Sequence, residues 1–239
     1  MIDTTELAKG IYRIALWDEE DLERGGLVVP GATMNLFLIK AERPAILHTM
    51  LRRTFQRFRD RVREIVAPRA LRYIVVPHHE GDSSGALNDW LAAAPEAVPL
   101  CSELCALLSL RDLSDREVRV VNDGEVVDLG SHRLRFLITP QVNQWDSLMV
   151  YEETTGTLFP NDLFSSLGTE VVFAGDRSPG ALKAAREIGY QPNDRVALDR
   201  ALEKIAALRL VVVAPMHGPA LTGHLGELMR AFRENSLVA

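Results

Sequence analysis

Leu71-Arg72-Tyr73-Ile74-Val75-Val76-Pro77-His78-His79-Glu80-Gly81-Asp82-Ser83-Ser84-Gly85 carries two imidazoles and two carboxylates on a turn that directly follows a strand-like run. Residues 71–76 are mostly apolar, β-branched and aromatic, as in a buried strand. Ala86 to Ala93 then read as a helix. A loop between a strand end and a helix start is held by rigid elements, and α/β folds place their chemistry there. Alternating positions 78, 80 and 82 can turn nitrogen and oxygen donors toward one point. A metal needs that convergence, whereas a solvated loop does not. The stretch is therefore a candidate metal loop, set against the plainer reading of a polar turn with incidental histidines.

Upstream of it, Gly10 to Trp17, Thr33 to Ile39 and Pro44 to His48 read as strands, with a charged turn from Asp18 to Gly26. Leu51 to Ile65 shows helical spacing, with its arginines on the solvated face. Downstream, Pro95 to Leu100 leads into a strand, Ser102 to Leu110 is a short helix, and Val118 to Val121 is another strand. Asn122-Asp123-Gly124-Glu125 has the composition of a β-hairpin turn. Val126 to Leu129 pairs with Leu134 to Ile138, and Ser147 to Tyr151 with Thr157 to Phe159. Helices are expected over Pro179 to Ile188, Arg195 to Leu208 and Gly223 to Glu234, with a strand from Leu210 to Ala214. Taken alone, this periodicity supports an α/β or α+β class. No Gly-, Ser- or Pro-rich linker divides the chain, so residues 1–239 are expected to form a single domain.

Composition narrows the function. Of 239 residues, 47% are hydrophobic and 25% charged, the profile of a globular protein with a substantial core. A net charge of −6 does not provide the basic face that nucleic-acid binding needs. No apolar run is long enough to span a bilayer, so no membrane role is expected. The N-terminus is acidic and lacks the basic-then-apolar layout of a signal peptide, which points to the cytoplasm. Cys101 and Cys105 are the only cysteines, too few for a four-thiolate zinc site, and read as reduced structural residues.

With these residues in view, the chain resembles the metallo-β-lactamase fold and, within it, the diiron domain of the flavodiiron (oxygen-binding diiron) proteins. The matching stretches are Gly10-Ile11-Tyr12, Thr33 to Ile39, Pro44 to Thr49, the loop at 78–85, Trp145-Asp146-Ser147, Leu158 to Phe164, and Ala214-Pro215-Met216-His217-Gly218-Pro219. The family's loop motif is H-x-E-x-D-H, where related hydrolases carry H-x-H-x-D-H. Glu80 places this loop on the flavodiiron side. Asn143 to Asp162 spans 19 residues and Asp162 to His217 spans 55, close to the family's spacing. The resemblance implies a four-layer αββα sandwich. It also implies one metal held by His78 and Glu80, a second held by Asp82 and His217, and Asp162 bridging both. Hard oxygen donors with some imidazole suit iron, in a di- or mononuclear site open to dioxygen or nitric oxide, with zinc as the alternative metal.

The departures from the pattern are specific. The family's last loop histidine is Ser83 here, and its next histidine aligns with Asn143. His48 stands where the family usually carries aspartate. His48 and His79 are auxiliary donors that would offset the two lost imidazoles, unless His79 points away and His48 only hydrogen-bonds the loop. His132 and His224 read as surface residues. No flavodoxin-like domain or flavin-phosphate loop is recognisable, so no flavin is expected on this chain. The resemblance then implies a separate electron donor of flavoprotein or rubredoxin type, and a homodimer. Three functions follow: an iron protein that binds, reduces or senses oxygen or nitric oxide; a zinc-dependent hydrolase; or a metal-poor scaffold.

Overall fold

The computed structural model describes residues 1–17, 33–166, 194–223 and 225–235. Among them, the strands form two sheets. The first runs in sequence order: β1 (Ile2–Ala8), β2 (Ile11–Leu16), β3 (Met34–Ile39), β4 (Ala45–Leu47), β5 (Tyr73–Val75), β6 (Val98–Cys101) and β7 (Arg119–Val120). β1 to β4 are antiparallel and β4 to β7 parallel. Parallel neighbours need crossovers, supplied by α1 (Phe55–Ile65) between β4 and β5 and by α2 (Leu87–Ala93) between β5 and β6. The second sheet has the order β12 (Val212–Val213), β11 (Thr157–Phe159), β10 (Leu148–Glu152), β9 (Arg133–Ile138), β8 (Val126–Asp128). Helices α3 (Arg195–Ala206) and α4 (Leu225–Asn235) belong to this half.

Side chains alternate across a strand, so a strand buried on both faces feeds two cores. β3 shows this: Leu36 and Leu38 join Phe58, Val62 and Trp90 on the helix side. Phe37 and Ile39 join Phe136, Val150 and Phe159 between the sheets. In β10, Leu148 and Val150 face that central layer, while Met149 and Tyr151 pack with Leu198, Leu202 and Ile205 of α3. Three apolar layers thus separate four layers of secondary structure, the expected αββα sandwich. The Phe37 and Phe159 rings, 4.9 Å apart, join the two sheets. Each such fully buried side chain contributes about 1.5–3 kcal/mol of transfer free energy.

Three sequence expectations change, and one strand is added. The acidic N-terminus forms β1, a half-exposed edge strand whose apolar alternation is too weak to read. The turn at Asn122–Glu125 is not a hairpin: β7 pairs with β6 in one sheet and β8 with β9 in the other, so the turn carries the chain between sheets. The helix expected to end at Leu110 passes through a π-turn at Ala106–Leu110 and continues to Leu113. His132 is not a surface residue but only 4% exposed. Its Nδ1 lies 3.1 Å from buried Glu152 and its Nε2 fills space over Gly10, where a Cβ would come within 2.7 Å. The helix expected over Pro179 to Ile188, and His224, lie outside the described residues.

The topology gathers several strand ends at one edge. His48 follows β4, Pro77 follows β5, Pro160 follows β11 and Ala214 follows β12. Leu148 N donates to Pro77 O across the sheets, and Met216 O accepts from Asn35 N. Ligand sites in α/β sheets form outside such carboxyl ends, because the loops there converge.

Candidate metal centre

His78 leaves β5 and is completely buried, while Glu80 and Asp82 follow on the loop that turns into the helical stretch Gly81–Ser84. Ligand atoms of His78, Glu80 and Asp82 lie within 4.8 Å of one another. Asp162, on the turn after β11, is 4% exposed, and His217, on the turn after β12, is 5% exposed. The five residues form two halves that share Asp162. His78 Nε2 is 3.3 Å from Glu80 Oε2 and 3.6 Å from Asp162 Oδ2. His217 Nε2 is 3.4 Å from Asp82 Oδ2 and 3.4 Å from Asp162 Oδ1.

The outer nitrogens are tied back into the protein. His78 Nδ1 bonds Asn161 Oδ1 at 2.9 Å and His217 Nδ1 donates to Thr33 O at 2.7 Å. That arrangement orients an imidazole and leaves Nε2 directed at its target. Asn161, Thr33 and Gln144 escape the sequence reading. Only adjacency to Asp162 and Asn143 marks Asn161 and Gln144, and nothing local marks Thr33. Asn143 donates its amide to Asp162 Oδ2, and Gln144 donates to Glu80 Oε1. Ser83 is buried with its Oγ 3.2 Å from His48 Nδ1. His79 sits apart from the centre. Its ring bonds Ser84 Oγ at 3.3 Å, and it lines an outer cleft with Arg52, Asn88 and Asp89.

Every described non-glycine residue with positive φ (His48, Met50, Gln141, Asn161 and Phe164) belongs to loops at this edge. Backbone held in that sparsely populated region costs roughly 1–3 kcal/mol and collects at functional sites. Charge is balanced by protons. Burial opposes ionisation of His78, but Asp162, Glu80 and Asp82 outweigh it and raise its pKa to about 9. Burial likewise opposes charge on His217, yet Asp162 and Asp82 raise it to about 10. Asp82 and Asp162 are pushed up by burial and pulled down further by the same imidazoles, so both stay ionised. His48 differs: burial dominates, His78 and His217 add to it, Asp82 opposes, and its pKa falls to about 3.

The donor set fits a metal. His78 Nε2 and Asp162 Oδ1 are buried with only ion-pair contacts and no well-formed hydrogen bond, and Asp82 Oδ1 has no partner. Buried polar atoms left in this way are rare unless an ion satisfies them. Two imidazoles and three carboxylates provide the hard donors and intermediate nitrogens that iron accepts.

Comparison with known proteins identifies the family and the fold. The profile of the ODP family beta lactamase matches residues 32–218. A diflavin flavoprotein A 1 of Thermosynechococcus vestitus is 31% identical over 91% of this chain and 39% of its own length. A nitric oxide reductase of Moorella thermoacetica is 26% identical over 84% of this chain and 53% of its own length. The flavodiiron protein of Giardia intestinalis superposes with a TM-score of 0.85, at 19% identity, covering 97% of this chain and 59% of that one. The rubredoxin oxygen:oxidoreductase of Desulfovibrio gigas also reaches 0.85, at 21% identity, with 97% and 61% covered. The chain thus spans about two fifths to three fifths of the length of these proteins. No described helix is long and apolar enough to cross a membrane. The loop with Glu80 in third position, the shared Asp162, the two-sheet sandwich and the family profile lead to one assignment: the chain belongs to the ODP family of beta-lactamase-like domains, the diiron-domain family of the flavodiiron proteins.

Proposed function

We propose that this chain holds a pair of iron ions and binds or reduces dioxygen or nitric oxide, with electrons from a separate flavoprotein or rubredoxin-type donor. His78 and Glu80 serve one ion, Asp82 and His217 the other, and Asp162 serves both. One observation carries this reading: the buried Asp162 carboxylate turns one oxygen toward each of the two imidazoles, at 3.6 and 3.4 Å. A paired iron centre supplies the redox chemistry for a diatomic ligand. The protein supplies orientation, through Asn161 and Thr33 behind the imidazoles, and exclusion of water, through the burial of His78, Asp162 and His217. The names of the relatives, a nitric oxide reductase and a rubredoxin oxygen:oxidoreductase, point to the same reaction class. A homodimer with the donor arriving at this edge belongs to the same reading.

A specific observation favours a second reading, a metal-poor scaffold. Asn143 and Gln144 place amide donors on Asp162 Oδ2 and Glu80 Oε1, which satisfies one oxygen of each carboxylate without metal. Reconstitution with Fe(II) under anaerobic conditions separates the two. Wild-type protein should take up iron that Mössbauer spectroscopy shows to be coupled in pairs, and Asp162→Asn should abolish the coupling and lower the metal content. A wild type that retains no iron, or an Asp162→Asn variant with intact pairs, overturns the proposal.

A further inference from the structure

Three histidines at this edge share one arrangement. His78, His217 and His48 are all buried, and each has Nδ1 bonded to a protein oxygen: Asn161 Oδ1, Thr33 O and Ser83 Oγ. Two of them are already placed in the metal centre. The third, His48, has an Nε2 that is buried and makes no hydrogen bond. A core histidine held only for packing is expected to satisfy both nitrogens, because an unpaired buried polar atom costs about 1–3 kcal/mol.

The backbone explains why the ring is there. His48 N donates to Val75 O at the end of β5, Thr49 N to Ser83 O, and Met50 N to Asp82 O. Thr49 Oγ1 bonds Ser83 O at 3.1 Å and accepts from Ala86 N at 3.2 Å. Residues 48–50 are thus clamped along the second half of the metal loop. His48 and Met50 hold φ of 65° and 66° to do so. Within that clamp, Asp82 Oδ1 is the other buried atom without a partner. An imidazole nitrogen and a carboxylate oxygen, both buried and without a hydrogen-bond partner, thus lie on segments tied together by these backbone bonds.

We propose that His48 is a third imidazole of the centre, giving its Nε2 to the metal position served by Asp82 and His217, with Ser83 acting as the oxygen that orients the ring. This rests on the metal-binding reading above. It makes His48 a binding residue, not a filler of the space beside Ser83.

The test uses Co(II) as probe on metal-free full-length protein. His48→Asn is the informative variant. Asparagine tolerates positive φ and keeps a polar atom near the position of Nδ1, so it deletes Nε2 with little strain. Wild type should bind two equivalents. In His48→Asn the second equivalent should weaken at least about 10-fold, on the scale of losing a residue that supports a metal site. Where the variant fails to fold, wild-type protein still decides the matter. Paramagnetically shifted proton resonances of the Co(II) form should include three exchangeable ring N–H signals, from His48, His78 and His217. Two signals, or unchanged affinity in a folded His48→Asn, overturn the assignment of His48 and leave the centre itself standing. A wild type that binds no Co(II) overturns both.

Discussion

Ser83 and Asn143 stand where two imidazoles would complete the family's ligand set, and each is engaged differently. Asn143 donates to Asp162, so its amide nitrogen faces the carboxylate shared by both halves. Replacing it by histidine would exchange a hydrogen-bond donor for a strong neutral metal ligand. Asn143→His is expected to slow iron loss to a chelator by about 10-fold or more. Iron loss at the wild-type rate would show that position 143 does not reach the metal. Ser83 is a different case, because it is buried and already bonded to His48. An imidazole at position 83 would meet the His48 ring that Ser83 now bonds, so restoring the family residue there is best paired with a change at His48.

At the scale of elements, the centre depends on turns that are clamped, not merely close. The turn Pro215-Met216-His217-Gly218 is held by a buried polar network: Asn35 Nδ2 donates to Pro215 O and Gly218 O, each at 2.9 Å, and Arg13 donates to Gly218 O at 3.1 Å. Arg13 itself is 3% exposed, and burial lowers its pKa to about 10 although Asp3 opposes the shift. Gly218 has φ +85°, and a Cβ there would lie 2.4 Å from Ser166 O. Both the backbone region and the contact exclude a side chain. Gly218→Ala should therefore destabilise the protein by roughly 2 kcal/mol or more in urea unfolding and displace the His217 ring. An unchanged unfolding midpoint would mean that the turn yields without consequence.

The whole molecule carries a charge balance that shows as pH dependence. In metal-free protein the folded pKa values of His78 and His217, about 9 and about 10, lie above the unfolded value of 6.5. Their contribution is fully present below pH 6.5 and is lost as pH rises through 9 to 10. Asp82 and Asp162 are depressed below 3.8, so their contribution is present above that value and disappears in stronger acid. His48, with a folded pKa of about 3, loses its contribution as pH falls below 6.5, because the unfolded chain then takes up a proton that the buried ring resists. Metal-free protein should therefore be most stable near pH 6.5, with Tm falling toward about pH 4 and toward about pH 10. Metal bound at the imidazoles replaces their protons, so the loaded form should keep its Tm over the same alkaline range. A flat alkaline profile in the metal-free protein would contradict the proton-balanced network.

Hydrophobic periodicity and loop composition alone determined most of the strand–helix order, the candidate donors on 78–82, and an α/β or α+β class. These depend on local patterns: period-two burial in β3 and β10, and a polar turn after an apolar strand. Alignment with a family pattern added Asp162 and His217, which no local signal connects to the loop. Tertiary structure alone decided the rest. Asn122–Glu125 joins two sheets although its residues suit a hairpin, because strand pairing is a long-range choice. His132 is buried because Gly10 leaves space for it and Glu152 meets it, residues 122 and 20 positions away. His48 lies beside Ser83 because β4 and β5 are parallel neighbours whose ends converge. Such contacts join residues far apart in the chain, where periodicity carries no information and only packing and backbone hydrogen bonding fix what meets.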